Sequence, residues 1–198
     1  MRADDLYQLP ADLPAPADDG SARHLPGLAL PPIALPATDG RLVRLDDAAV
    51  VLTVVYCYPR TGRPEAISLG GTEAWNAIPG ARGCTPQSCA YRDHHREFEH
   101  LSAKVYGLST QTSEYQREAV SRLRLPFPLL SDAAGEFSAA LRLPWFEVQG
   151  TRLLKRLTLI ISRGRILHCF YPVFPPDKDA ETVISWLRDH FKATSMRP

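Results

Sequence analysis

Two cysteines stand five positions apart in GARGCTPQSCAYRD, Gly80 to Asp93, and the segment around them reads as the start of a helix. A helix beginning at Cys84 places that thiol among the first-turn amide N–H groups that lack an intrahelical partner. It also lies at the positive end of the helix dipole, and both features favour thiolate over thiol. Arg82, two residues upstream, adds positive charge. The thiolate is the nucleophilic form of cysteine, so this is the setting of a reactive thiol. Gly83 permits close backbone approach, and Pro86 costs nothing at a helix start, where its missing N–H had no partner. On an ideal helix, Cys89 lies roughly 8.6 Å from Cys84 between Cα atoms. A disulfide needs less than about 7 Å. The pair therefore cannot join without unwinding the first turn, a spacing that suits a thiol that reacts first and is resolved second.

Two blander readings of the pair are core filler and a zinc site. The Gly-Cys-Thr-Pro context is not that of a buried helix face. His94 and His95 lie nearby, but structural zinc sites use closer cysteine spacings and a second ligand pair, which the sequence lacks. No metal and no cofactor are expected. Cys57, in an apolar run, and Cys169, late in the chain, read as inert small hydrophobes. His94, His95, His100, His168 and His190 form no triad-like pattern and suit surface or capping positions.

The elements that must position these residues follow from periodicity. VVLTVVYCY, Val50 to Tyr58, is an uncharged β-branched and aromatic run, the signature of a strand buried on both faces of a parallel sheet. A helix is predicted from Cys84 to about Leu101, a strand over Ala103–Thr110, and a helix in SEYQREAVSRL, with Tyr115, Ala119 and Leu123 on one face. FPLLSD is a short strand whose Ser131-Asp132 can cap the small helix AAGEFSAAL. KRLTLIISRGRILHCFY reads as two antiparallel strands joined at Arg163-Gly164, and DAETVISWLRDHF as an amphipathic helix. TDGRLVRLDD suits an edge hairpin turning at Asp39-Gly40. Alternating strands and helices argue for an α/β sheet.

At 198 residues the chain suits one fold with a substantial core. Seven of its 18 prolines lie in the first 36 residues, so residues 1–28 are expected to form an extended, partly mobile arm ahead of a domain over 29–198. With 23 Lys and Arg against 22 Asp and Glu, and no basic stripe, nucleic acid and acidic membranes are not expected as partners. No apolar run is long enough to span a bilayer and the amino terminus has no secretory h-region, so a cytoplasmic protein is the expectation. Four cysteines are too few for a secreted disulfide scaffold.

GCTPQSCAYRD resembles the reactive helix of a peroxiredoxin, most closely of the Q-type or bacterioferritin-comigratory branch. ALPATDGRLVRLDD, VVYCYPRTG, VYGLSTQTSEYQREAV, LPFPLLSD and KRLTLIISRGRIL agree with that family in order, from about Leu30 to Phe191. The resemblance implies a thioredoxin-like fold with a central mixed β-sheet flanked by helices, and thiol-dependent reduction of hydroperoxides. It casts Cys84 as the peroxidatic cysteine, oxidised to sulfenic acid, and Cys89 as the resolving cysteine that condenses with it to a disulfide. A thioredoxin-like or glutaredoxin-like reductant would restore both thiols. It assigns Arg156 to hold the thiolate and polarise the peroxide, with Arg152 in reserve. Because both cysteines share one helix, a monomer suffices.

The family pattern also places Pro seven residues and Thr three residues before the reactive cysteine, where this chain has Ala77 and Ala81. An insertion of roughly Arg63 to Pro79, with Trp75 and two glycines, displaces the segment. Pro59 and Thr61 are expected to keep the shielding and orienting roles, with Thr85 a weaker substitute. Two other functions fit the same residues: a thiol-disulfide oxidoreductase, although it would carry a C-x-x-C pair, and a redox-silent thioredoxin-fold binding module.

Overall fold

The computed structural model describes residues 5–191. β1 (Ala34–Pro36) and β2 (Leu42–Arg44) pair antiparallel across the Asp39-Gly40 turn, as the sequence predicts. β3 (Thr53–Cys57) is buried at every position. After α1 (Thr72–Asn76) come α2 (Cys84–Asp93), α3 (His95–His100), β4 (Lys104–Ser109), α4 (Ser113–Leu123), β5 (Leu129–Ser131) and α5 (Glu136–Leu141). The hairpin β6 (Trp145–Val148) and β7 (Thr151–Leu154) precedes β8 (Leu157–Ser162), β9 (Arg165–Phe170) and α6 (Asp179–His190). The central sheet runs β5-β4-β3-β8-β9. β3, β4 and β5 are parallel, and β8 and β9 antiparallel, so the sheet is mixed. This is the thioredoxin-like α/β fold that the resemblance implies.

The two-residue alternation of a strand sorts β3 between two cores. Val54 and Tyr56 face a cluster with Tyr91 of α2, Phe98 of α3, Ala119 of α4 and Val183 and Leu187 of α6. Val55 and Cys57 face a second cluster with Phe137 and Leu141 of α5 and Leu157 and Leu159 of β8. Each fully buried Val, Leu or Phe of these layers contributes about 1.5–3 kcal/mol relative to exposure. A third, small cluster joins Trp75 of α1 to Ala81 and to Leu153 of β7, with Phe146 of β6 beside it. It anchors the inserted segment against a hairpin that the sequence analysis did not resolve.

The structure departs from expectation in two more places. The helix predicted from Cys84 to Leu101 is two, because His94 leaves helical geometry at φ −94°, ψ 7°. The amino-terminal segment, expected to be extended and partly mobile, lies on the body instead. Leu25 is fully buried and Ala22 nearly so in the second cluster. Gly27 N–H donates to Ile166 O at 2.7 Å, Ile166 N–H to Leu28 O at 3.0 Å and Leu30 N–H to Gly164 O at 2.9 Å, so this stretch tracks the outer edge of β9. Proline leaves such a segment few donors of its own, but the non-proline amides between the prolines suffice to pair it.

Candidate active site

Cys84 is the first residue of α2, held there by Gly83. Gly83 has φ 106°, and a Cβ at that position would sit 2.4 Å from Pro176 Cγ and 2.8 Å from Leu9 Cδ2. The helix start can thus pack tightly against the turn at Pro176–Lys178 and against the amino-terminal segment. Cys84 is 4% exposed. Its thiol faces Ala81 O at 3.7 Å, and Arg156 Nη2 donates to its Sγ at 3.3 Å.

Arg156, just before β8, is 3% exposed. Its Nη1 donates to Gln87 Oε1, and its Nη2 also reaches the carbonyls of Gly80, Ala81 and Arg82 at 3.2–3.4 Å. Removing a guanidinium from water costs several kcal/mol unless its donors are satisfied and its charge is matched. Its oxygen acceptors are all neutral, and the Sγ of Cys84 is the contact that forms a charge pair with it when ionised. A charge pair about 4 Å apart is worth on the order of 4 kcal/mol at an effective dielectric near 20.

Behind this contact lies a buried relay. Asp179 Oδ2 accepts from Gln87 Nε2 at 2.8 Å, Tyr91 OH at 2.9 Å and Thr158 Oγ1 at 2.7 Å. Burial pushes the Asp179 carboxyl above its ordinary range against the opposing pull of those donors. Gln87, bonded to Asp179 through its amide nitrogen, must present its oxygen to Arg156, which orients both groups. Gln87, Tyr91, Thr158 and Asp179 were not legible as site residues in the sequence. The one available signal was that Gln87 lies three residues after Cys84, on the same helix face.

Of the other expected residues, Cys89 lies on the same unbroken helix, and both thiols are free. It is half-buried against the first core, and burial raises its thiol above the usual range while Arg92 pulls the other way. Arg152 is exposed on β7, its guanidinium carbon 4.1 Å from the centre of the Trp145 ring. It is thus Arg156 that meets the sulfur. Thr61 and Pro59 are buried, but neither lines the cleft above Cys84. Thr61 N–H and Oγ1 both donate to Gln111 Oε1, at 2.8 and 3.0 Å. The structure therefore does not bring the expected hydroxyl to the thiol, because Gln111 engages it. Thr85 lines the cleft beside Cys84.

That cleft offers only about 40 Å³ of free space, enough for a few water-sized molecules and for a peroxide group. Ala81, Arg82, Thr85, Trp75 and Tyr115 form part of its wall. Burial pushes the Cys57 thiol far above the usual range and the Cys169 thiol up to about 12, in keeping with inert roles. His94 closes α2 and bonds Glu97 at 2.6 Å.

The profile of the Redoxin family matches residues 25–184. This chain belongs to the Redoxin family. The chloroplastic peroxiredoxin Q of Sedum lineare is 29% identical over 168 residues, covering 84% of this chain and 80% of that protein. Peroxiredoxin bcp1 of Schizosaccharomyces pombe is 32% identical over 130 residues, 64% of this chain and 57% of that protein. The crystal structure of peroxidoxin BcpB from Mycobacterium tuberculosis superposes with a TM-score of 0.67 at 26% identity, over 84% of this chain and 98% of that one. Within the family this redoxin is of the peroxiredoxin Q type, a thiol-dependent peroxidase with a hydroperoxide substrate and a thioredoxin-type reductant. The readings as a protein thiol-disulfide oxidoreductase and as a silent binding module give way to that one.

Proposed function

We propose that Cys84 is the peroxidatic thiol, Arg156 its electrostatic partner and Cys89 the resolving thiol. The thiolate of Cys84 attacks the terminal oxygen of the hydroperoxide, and the O–O bond breaks. The departing alkoxide takes a proton and leaves as alcohol, or as water from hydrogen peroxide, while the sulfur becomes a sulfenic acid. Arg156, aimed at the sulfur, also faces the charge that develops on the leaving oxygen. The thiolate of Cys89 then attacks the sulfenic sulfur, expels hydroxide that leaves as water, and closes a disulfide. A thioredoxin-like or glutaredoxin-like dithiol takes up that disulfide and returns two thiols. Both cysteines lie on one helix, which supports a monomeric unit, and their dependence on reduced thiols suits a cytoplasmic setting.

The single observation that carries this reading is the 3.3 Å contact from Arg156 to a sulfur at a helix start, with a second thiol five residues on. The test is a mass and thiol titration after one equivalent of hydrogen peroxide. Wild type should lose two thiols, Cys89→Ser should gain a single oxygen, and Cys84→Ser should not react. Peroxide consumption by Cys84→Ser at the wild-type rate would overturn the assignment.

A further inference from the structure

The cleft over Cys84 carries more positive charge than the chemistry at the sulfur uses. Arg60 and Arg63 both lie against one ring, their guanidinium carbons 4.8 and 4.3 Å from the centre of Tyr115. Arg60 Nη2 also donates to the Tyr115 hydroxyl at 3.3 Å. Stacking on an aromatic face fixes a guanidinium while leaving its in-plane N–H groups free to grip a carboxylate. Arg63 Nε is buried with no hydrogen-bond partner among the described residues. Among the described residues, no Asp or Glu lines the cleft. The carboxylates flanking Tyr115 on α4 are paired elsewhere, Glu114 with Arg117 and Glu118 with Arg122. A third arginine of the cleft, Arg82, is bonded to the carbonyls of Asp5 and Gln8 and adds its charge to the field.

Beside these charges the wall is apolar. Leu69 lines it, and so does Ile67, which is 78% exposed. The narrow space at the sulfur admits a peroxide group and leaves the remainder of a larger substrate at the mouth. Resting on the peroxidase reading, we propose that this cleft selects hydroperoxides that carry a carboxylate. The O–O group reaches Cys84, the alkyl chain lies along Ile67 and Leu69, and Arg60 and Arg63 hold the carboxylate. A cleft of one sign, with no compensating acid among the described residues that line it, attracts an anion before it docks, and the two stacked guanidinium groups hold it afterwards. Arg63 and the apolar wall belong to the inserted segment, so the selectivity is a property of this chain beyond the shared fold.

The experiment compares two probes of one shape: a tertiary alkyl hydroperoxide bearing a carboxylate two methylenes from the peroxide carbon, and its neutral methyl ester. Rates of oxidation of the reduced full-length chain are measured for each by stopped flow, and their ratio is the readout. Wild type should favour the anion. Arg63→Gln should lower the anion-to-ester ratio about tenfold, as expected for losing a hydrogen bond to a charged group. Arg63→Glu should invert the preference. In wild type, raising ionic strength should slow the anion and leave the ester rate level, because salt screens exposed charges over about 8–10 Å. A wild-type ratio of one, or a ratio indifferent to both substitutions and to salt, overturns the proposal while leaving the peroxidase intact. If neither probe nor hydrogen peroxide consumes thiols, it is the peroxidase reading that fails.

Discussion

At the amino-terminal end of α2, Cys84 is almost fully covered, faces a guanidinium at 3.3 Å and is backed by the Gln87–Asp179 relay. Five residues on, Cys89 is half-buried against apolar side chains, and its thiol is held above the usual range. One end of the helix sets a sulfur against a buried guanidinium. The other keeps a thiol neutral inside a regular helix until that helix opens. The contrast teaches how one short segment stores two cysteines without premature disulfide formation: the folded helix separates them and burial quiets the second. On the proposed assignment, disulfide closure after oxidation of Cys84 requires local unwinding, and the bond from Gln87 N–H to Gly83 O at 3.0 Å is among those that would open.

The largest expected effect comes from erasing that contrast. Arg156→Met removes the only cation bonded to the sulfur among the described residues and should slow peroxide-dependent oxidation of Cys84 about a hundredfold to a thousandfold, the cost of losing one electrostatic donor at a reacting centre. A change of less than about threefold, measured by stopped flow on folded protein, would dissolve the distinction between the two ends. Next is the pH dependence of resolution. Burial raises the Cys89 thiol, so at any pH below its pKa the thiolate fraction is smaller than for a free cysteine, and it grows about tenfold per pH unit. Disulfide formation from the sulfenic acid should accordingly climb with pH from 6 to beyond 8. A plateau near pH 7 in a double-mixing experiment would mean that Cys89 is already ionised.

The smallest effect sharpens the border of the built end. Thr61 bonds to Gln111 and does not line the cleft, so Thr61→Val should cost about 1 kcal/mol of stability and change the oxidation rate of Cys84 by no more than about twofold. A drop of tenfold or more, with unchanged thermal unfolding, would restore Thr61 to the reacting centre.

Much of the fold was legible because its signals are local. The uncharged run around β3 announced a central strand, the Arg163-Gly164 turn announced the β8–β9 hairpin, and Asp132 does cap α5, accepting from Phe137 N–H at 3.0 Å and Ser138 N–H at 2.9 Å. The break at His94, the β6–β7 hairpin and the docking of the amino-terminal segment were not legible. The docking depends on surfaces supplied by distant parts of the chain. Leu25 is buried by β8, β9 and α5 partners, and nothing within a few residues of it says so.

The same division runs through the active site. Sequence alone determined that Cys84 begins a helix, that Gly83 and Pro86 suit that start and that Cys89 is too far along to bond it, because spacing, dipole and steric rules act within a turn or two. It singled out Arg156 only through resemblance. Tertiary structure decided which arginine meets the sulfur, which hydroxyl does not and which carboxylate steadies the arrangement. Arg156 lies 72 residues from Cys84, and Asp179 lies 92 from Gln87. Partners at such separations are chosen by the order of strands in the sheet and by the need of every buried donor for an acceptor.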